Sequence, residues 1–541
     1  MKKKKIFKNI CLVLMTILLA AGSFPSAAAV SATPPSYLKS VTYVSDAWVI
    51  NFWNTESDHM EEELAQIAAD GFNSIILVIP WREFQPRVVP VAYNDYAFRK
   101  LDQVMRAAEA QGLWVELRVS YTWDYYESGE SLTRFKELLG NNQMREGWLA
   151  YIKKIYETAS GYSNFYGGFM TWEDFWNYMA DASEFGTGTN SRAEAERIGY
   201  QAYLEKYYTL AEVNAYYKSV KEFISFRDIY IPQRTNPAYK LLFEFYDDYL
   251  IGLLNDAQQV FPNLSMEVRL DVDPVNGIDG GDRVGAHHFR TFPCGNSSYT
   301  SLMYSVSMGQ VNNGEKITAA AALAAADSQL NVVKTYNGGK PIFIDQLLYM
   351  DGTEQFSYNA QLLESERNQF ITSLPGILRK YTNGYGIWCY RNYANSPVYN
   401  SQFALNSRGW DTNRAEVVNR DGSNQMKMEG SGKIVQKIGD RIAGKFTHGN
   451  HVSFTVDSDG PATLSVTLGK ITKQVSVNGK GEFDLNFGQL EYSDIEFRSN
   501  GELYLDNVVV YNFIQDGQLY DMANQELSCL DAVRALNAAM N

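Results

Sequence analysis

Two acidic residues stand among tryptophans where a short apolar run ends. The run at 168–172 leads into Glu173 and Asp174, and Trp176 follows. Burying an isolated carboxylate is costly unless it is paired or hydrogen-bonded, and burial raises a carboxyl pKa. A raised pKa suits a general acid that holds its proton near neutral pH. Glu173 is therefore the first candidate for catalysis. The alternatives are a structural ion pair for Glu173 and a helix N-cap made by Asp174.

Glycoside cleavage needs a second carboxylate, either as nucleophile or as base for a water molecule. Asp345 ends a second apolar run and is the first choice for this role. Strand alternation predicts Phe343, Asp345 and Leu347 on one face and Ile344 and Gln346 on the other. The alternative for Asp345 is a hydrogen bond to a neighbouring loop. Two rival acids, Asp271 and Asp273, stand at the end of another run, 264–272.

A repeated Glu-x-Arg pattern predicts a structural ion-pair cluster. Glu116 and Arg118 lie two apart in one run, and Glu267 and Arg269 lie two apart in another. Residues two apart share a strand face, and odd-numbered barrel strands contribute to the same interior layers. We expect these four side chains to pair inside a barrel, which would leave Glu267 unavailable for catalysis.

Aromatic and basic residues accompany the same apolar runs and are candidates for sugar contacts. Trp388 is the preferred sugar platform, with packing at the barrel top as the alternative. The full set of predicted substrate-binding residues is Trp81, Arg82, Trp123, Trp172, Trp176, Tyr304, Trp388 and Arg391. The histidines lack metal-ligand spacing with acidic partners, so no metal and no cofactor is predicted.

Eight apolar runs alternate with amphipathic helix patterns between residues 38 and 401, which predicts a (β/α)8 TIM barrel. The first run is 47–53, and the others are 74–80, 113–120, 168–172, 264–272, 301–308, 342–348 and 385–390. Residues 177–235 read as a long insertion. A doubly wound open sheet is disfavoured, because no glycine-rich phosphate turn follows Trp53.

Helix patterns then give way to short alternating runs separated by Gly, Asn and Asp. This spacing predicts an antiparallel β-sandwich over 402–514. The tail at 515–541 is expected to be a helical segment that either packs on one of the domains or projects toward a partner.

The N-terminal 29 residues combine lysines, a short apolar run and small residues, which indicates a secretory signal peptide. An uncleaved anchor is the alternative, although the apolar run is short for a membrane span. Removing its five lysines lowers the formal charge from −14 to about −19. Such a charge disfavours nucleic acid and anionic membranes as partners. Three remaining cysteines form no disulfide framework; one bridge or a fully reduced set are both open.

On these residues the chain resembles clan A-type, cellulase-like retaining glycoside hydrolases. Arg82 after the second run, Glu173 after the fourth, the 339–344 approach to the seventh and Trp388 on the eighth match that layout. The resemblance covers about residues 40–400 and implies an acid/base at Glu173 and a nucleophile on the seventh strand. The C-terminal region is similar to carbohydrate-binding modules in its last strand, 503–511.

Two positions depart from this family. The family usually has Asn-Glu where this chain has Trp172-Glu173, and Glu where it has Gln346. A shift by one residue gives the nucleophile role to Asp345. We therefore expect a secreted glycosidase that cleaves a polysaccharide, with β-linked sugars and retention favoured. The alternative is a non-catalytic glycan-binding or polysaccharide-export protein on a degenerate barrel.

Overall fold

The computed structural model of the chain describes residues 33–541 apart from several segments. The segments left out are 57–58, 122–133, 135, 172–190, 219–221, 234, 270–272, 277–282, 287–289, 307–314, 351–360, 421, 439–449, 491–493 and 515–516. Of residues 273–276, 283–286 and 512–514, only the backbone is described.

Eight parallel strands close into a barrel in which each strand pairs with its neighbours in sequence, and the last pairs with the first. This confirms the predicted fold class. The strands are β1 (Leu38–Thr42), β2 (Ser74–Pro80), β3 (Trp114–Tyr121), β4 (Phe165–Met170), β5 (Ser265–Val268), β6 (Thr300–Ser305), β7 (Ile342–Leu348) and β8 (Thr382–Ile387).

Helices surround the barrel, and three of them belong to the insertion after β4. They are α1 (Met60–Ala69), α2 (Trp81–Phe84), α3 (Asp95–Ala110), α4 (Asn142–Ala159), α5 (Ser191–Arg197), α6 (Tyr200–Tyr207), α7 (Leu210–Tyr217), α8 (Tyr239–Gln258), α9 (Ala319–Tyr336), α10 (Arg367–Ser373), α11 (Pro375–Tyr381) and α12 (Leu530–Ala539). Asn94, Asn141 and Thr318 cap the starts of α3, α4 and α9 with side-chain oxygens. These three helices therefore begin directly after a polar residue that caps them.

The position predicted for the first strand is wrong. The barrel begins at β1, whereas residues 47–53 form a buried turn that ends in a short 3-10 helix, Asn51–Asn54. Apolar side chains in this turn serve packing rather than a sheet. Trp48 N donates to Ala394 O at 2.7 Å, and Asn51 exchanges two 2.8 Å hydrogen bonds with Ser396. This turn joins the barrel to the connection that follows β8.

The helix that completes the barrel comes from the far end of the chain. After β8 the chain enters the C-terminal sheet, and the next described helix is α12. Asn537 on α12 accepts a 2.5 Å hydrogen bond from Tyr385 on β8 and donates to Asp70 O, at the end of α1, at 2.9 Å. Lys39 on β1 reaches the carbonyl of Asn537 at 3.3 Å. The predicted tail thus packs on the barrel in the place of its eighth helix.

In the described residues of the C-terminal region, nine antiparallel strands are present. They are β9 (Tyr393–Asn395), β10 (Asp411–Arg420), β11 (Ser423–Lys437), β12 (Asn450–Asp457), β13 (Ala462–Leu468), β14 (Ile471–Val477), β15 (Gly481–Gly488), β16 (Asp494–Ser499) and β17 (Leu503–Ile514). The main order is β14-β13-β16-β11-β17-β12-β15, with β10 on β11 and β9 on β17.

Strand β11 turns this sheet into a sandwich-like body. Its first half pairs with β17 at Met426–Met428, and its second half pairs with β16 at Lys433–Lys437. Between them Ser431 has a φ of 70°, and a Cβ on Gly432 would lie 2.7 Å from the carbonyl oxygen of Glu429. One bent strand therefore serves two layers, whose apolar faces form a single core that includes Phe454 and Phe497.

Candidate active site

The barrel interior has an apolar floor and a charged layer. Leu38, Ile76, Phe169, Tyr299 and Phe343 form the floor. The charged and polar layer contains Glu116, Arg118, Glu267, Arg269, Asp345 and Gln346, all of them buried. Interiors of parallel barrels are normally filled by apolar side chains, so this layer requires partners or a function.

The predicted ion pair between β3 and β5 is present. Arg118 Nη2 lies 2.7 Å from Glu267 Oε2, and Arg269 Nε lies 3.3 Å from Glu267 Oε1. Arg118 also donates to Gln346 Oε1 at 3.0 Å and to Thr171 Oγ1 at 3.1 Å. Arg118 thus links β3 to β5, to β7 and to the residue that follows β4.

Glu116 has a different partner from the one expected. Its Oε1 lies 2.7 Å from the hydroxyl of Tyr299, and that hydroxyl lies 3.0 Å from the carbonyl oxygen of Gly168. Burial raises the pKa of Glu116 to about 8, although the hydrogen bond with Tyr299 opposes the shift. The hydroxyl hydrogen of Tyr299 can point to only one of these two oxygens at a time, and Glu116 Oε2 has no hydrogen-bond partner among the described residues.

Asp345 is 2% exposed, and neither of its carboxyl oxygens has a hydrogen-bond partner among the described residues. Burial raises the pKa of Asp345 well above its ordinary value, the negative charge of Glu267 adds to the shift, and Arg118 opposes it. An unsatisfied buried carboxyl group is unfavourable for folding. Such groups are concentrated at functional sites.

Strand β7 does not keep the predicted alternation. The pairing with β6 slips between Ile344 and Gln346, which marks a bulge at Asp345. Beyond the bulge Gln346 points toward Arg118, and Leu347 joins the core between barrel and helices. The prediction that placed Leu347 with Asp345, and Gln346 on the opposite face, is therefore wrong. The bulge brings two consecutive polar residues to the interior.

Trp388 borders this layer. Its ring lies 5.9 Å from the guanidinium carbon of Arg118, and Trp48 meets it edge-on at 6.0 Å. Tyr121 lies on the same guanidinium at 5.4 Å. Trp388 is only 5% exposed. Its described contacts make it part of the wall that surrounds the charged layer.

Other predicted sugar contacts have packing partners. Trp81 is fully buried and donates to Gln85 Oε1 at 2.6 Å, and Arg82 lies over Tyr399 at 4.6 Å. Arg391 pairs with Glu63, and Tyr304 is buried. Four predicted site residues and one rival acid lie outside the described residues: Trp123, Trp172, Glu173, Trp176 and Asp271. Of the other rival acid, Asp273, only the backbone is described, as the first residue of a short strand.

Tyr299 and Thr171 were not predicted as parts of the site. Tyr299 precedes the observed strand β6 by one residue, and Thr171 lies inside the predicted run 168–172 and follows the observed strand β4 by one residue. The sequence signal that could have identified them is a polar residue at a position next to a strand that faces the barrel interior. In the insertion, Tyr200, Tyr203 and Tyr217 are buried against α8 or one another and belong to the core.

Within the described part of the chain, no three His, Cys, Asp or Glu side chains are arranged to hold a metal ion. The cysteines Cys294, Cys389 and Cys529 are buried thiols. No described helix is both long enough and apolar enough to cross a bilayer.

No family model and no curated protein matches the sequence. Solved structures similar to the chain include glycoside hydrolases. A GH5_18 protein from Bifidobacterium longum subsp. longum, in complex with Manb1-4GlcNAc, is 12% identical, with a TM-score of 0.41 over 66% of this chain and 70% of that one. A GH5_18 protein from Streptomyces cattleya is 14% identical, with a TM-score of 0.41 over 67% and 72%. A beta-galactosidase from Marinomonas ef1 is 11% identical, with a TM-score of 0.46 over 65% and 54%. Because these identities and TM-scores are low, we base the functional proposal on residues of this chain.

Proposed function

We propose that this chain is a secreted glycoside hydrolase that cleaves O-glycosidic bonds of a β-linked polysaccharide with retention. The observation that carries the proposal is the carboxyl group of Asp345, which is buried inside a closed barrel without a hydrogen-bond partner among the described residues. Structural stability alone gives no reason to keep such a group, whereas a reaction that needs a carboxylate does.

In the proposed mechanism Glu173 is the acid/base and Asp345 the nucleophile. Glu173 follows the last residue of β4, Met170, by three positions, and Asp345 lies on β7. Asp345 attacks the anomeric carbon while Glu173 protonates the leaving oxygen, and water then releases the sugar. Arg118 and Arg269 lower the pKa of Asp345 against the larger effect of burial, so that the carboxylate form becomes accessible.

The test is a reducing-sugar assay of the mature protein over a panel of β-linked glycans. We expect Asp345→Asn and Glu173→Gln to lower the rate by at least about a thousandfold, because each removes a group that acts on the scissile bond. Asp248→Asn, an exposed position on α8, is the matched control and should retain the wild-type rate. Full activity in Asp345→Asn would remove Asp345 from the mechanism.

A second candidate function is glycan binding or polysaccharide export without catalysis. It is favoured by Gln346, an amide where the similar family has its nucleophile, here held by Arg118 at 3.0 Å. Gln346→Glu distinguishes the two. If Asp345 is the nucleophile, a further carboxyl group beside it adds no activity. If the barrel has lost its nucleophile, the wild type is inactive and Gln346→Glu gains hydrolysis.

A further inference from the structure

A polar cleft lies where the barrel meets the C-terminal sheet. Its volume is about 560 Å³, within the range of roughly 300–1,000 Å³ that small-molecule sites occupy. The barrel side contributes Glu56, Asp95, Tyr96, Arg99, Lys100 and Gln103, and the sheet side contributes Gln402, Ala404, Asn419, Gly422, Ser423 and Asn424.

The base of this junction cleft is rigidly held. Tyr96 donates to Glu56 Oε1 at 2.6 Å, and the Lys100 ammonium donates to the carbonyl oxygens of Phe52 and Thr55. On the sheet side Ser423 donates to Asp506 Oδ2 at 3.1 Å. These bonds fix the walls, so the cleft does not depend on adjustable side chains for its shape.

The upper part of the same wall presents uncommitted polar groups. Asp95, Arg99 and Gln103 are spaced four apart on α3, which places them on one helix face. All three side chains are exposed, and none of them makes a hydrogen bond to another described residue. A carboxylate, a guanidinium and an amide in one row offer both donors and acceptors at regular spacing.

The charges of the cleft select the kind of ligand. Glu56 and Asp95 balance Arg99 and Lys100, so neither a strongly anionic nor a cationic ligand is favoured. The polar lining also disfavours an apolar ligand, since each displaced water must be replaced by a hydrogen bond. A neutral molecule with many hydroxyl groups satisfies both conditions.

The cleft also lies toward the catalytic end of the barrel. The first half of α3 and the segment before α1 follow the C-terminal ends of β2 and β1, where active sites of this fold are located. We propose that the junction cleft binds a short stretch of a neutral glycan chain, as a second carbohydrate site beside the barrel mouth. This inference rests on the proposed function and extends it, because the substrate is then a polymer bound both in the barrel and in the junction cleft.

The experiment measures binding separately from hydrolysis. Binding of neutral tetra- to hexasaccharides from the gluco-, manno-, xylo- and galacto-series is followed by calorimetry in the Glu173→Gln background. We expect the double variant Arg99→Ala/Gln103→Ala to weaken binding at least tenfold. Ala404→Trp, which fills the cleft from the sheet side, should do the same, and Gln259→Ala, an exposed glutamine on another face, should not.

Melting curves identify any variant that does not fold, and the double variant changes only exposed side chains. Equal affinity in wild type and both cleft variants would overturn the inference, as would a lack of binding to every oligosaccharide in the panel. Cleft-dependent binding without hydrolysis by the unsubstituted protein would refute the proposed enzyme while retaining the glycan site. Hydrolysis with cleft-independent binding would refute the site alone.

Discussion

At the residue scale, the barrel interior contains three carboxyl groups, Glu116, Glu267 and Asp345, near two guanidinium groups, Arg118 and Arg269. Glu267 lies within 3.3 Å of both arginines. Burial raises the pKa of the other two carboxyl groups. Glu116 therefore holds a proton at neutral pH that an unfolded chain would release, which affects stability, and the raised pKa of Asp345 bears on catalysis.

For stability, we predict that Glu116→Gln stabilises the protein increasingly from about pH 4.5 to about pH 8. Below the ordinary pKa of 4.5 both the folded and the unfolded state are protonated, so the substitution has little effect there. As pH rises toward 8, only the unfolded state releases its proton, and wild-type stability falls by up to about 1.4 kcal/mol per pH unit. Gln keeps the neutral, hydrogen-bonding shape. Urea unfolding at pH 5 and pH 8 measures the difference.

The control is Glu205→Gln, at an exposed position on α6, which should leave the pH dependence of unfolding unchanged. A constant stability difference between Glu116→Gln and wild type at the two pH values would mean that Glu116 is ionised when folded.

For catalysis, we predict that kcat/KM rises with pH through a limb above the ordinary carboxyl range of about 4. The nucleophile must lose its proton first, and the pKa of Asp345 is raised by burial and by Glu267 and Glu116, against Arg118 and Arg269. A pH–rate profile from pH 3 to pH 10 on a small β-glycoside tests this. An acid limb near pH 4 would argue that another, ionised carboxylate performs the attack.

At the element scale, the sequence predicted strands well where a short apolar run becomes a strand that is buried along its whole length. The predicted runs 74–80 and 342–348 coincide with β2 and β7. The first strand was misplaced because Leu38–Thr42 contains Lys39 and Ser40, whereas the more apolar 47–53 packs against the connection after β8. Burial alone does not distinguish a strand from a packed turn.

The candidate site shows a second limit of sequence reasoning. The pairing of Arg118 with Glu267 followed from strand position and opposite charge. The orientation of Gln346 depended on the bulge at Asp345, which comes from the pairing of β7 with its neighbours and has no local sequence signal.

Arg118 connects several strands, and we predict that Arg118→Met destabilises the protein by about 3–5 kcal/mol. The substitution leaves Glu267 buried with one of its two guanidinium partners gone, and Gln346 and Thr171 lose their donor. Denaturant unfolding measures the loss. Arg106→Met, which removes an exposed pair with Asp102, is the matched control and should change little. A similar effect of both substitutions would contradict the role assigned to Arg118.

Helix α12 gives a further prediction. Leu536 is fully buried in the barrel core, so Leu536→Ala should cost about 2–5 kcal/mol. Ala538 is exposed on the same helix, and Ala538→Ser serves as the control. Chemical unfolding followed by circular dichroism measures both. If Leu536→Ala is harmless, α12 is not an integral barrel helix.

At the scale of the whole molecule, the barrel and the C-terminal sheet are interleaved along the chain. Leu519, Leu530, Val533 and Leu536 follow the sheet in sequence but belong to the barrel core. Strand β9, which continues from the barrel, pairs with β17. We predict one calorimetric unfolding transition for both parts, because loosening the sheet also releases α12. Two separated transitions would show that the parts are independent.

The position of α12 also constrains how the protein is made. More than a hundred residues of sheet separate β8 from the helix that covers it. All eight barrel strands are therefore synthesised before α12, and until then the nascent chain lacks the helix that packs on β1 and β8. We expect the maturation of this chain to depend on factors that protect exposed strands during synthesis.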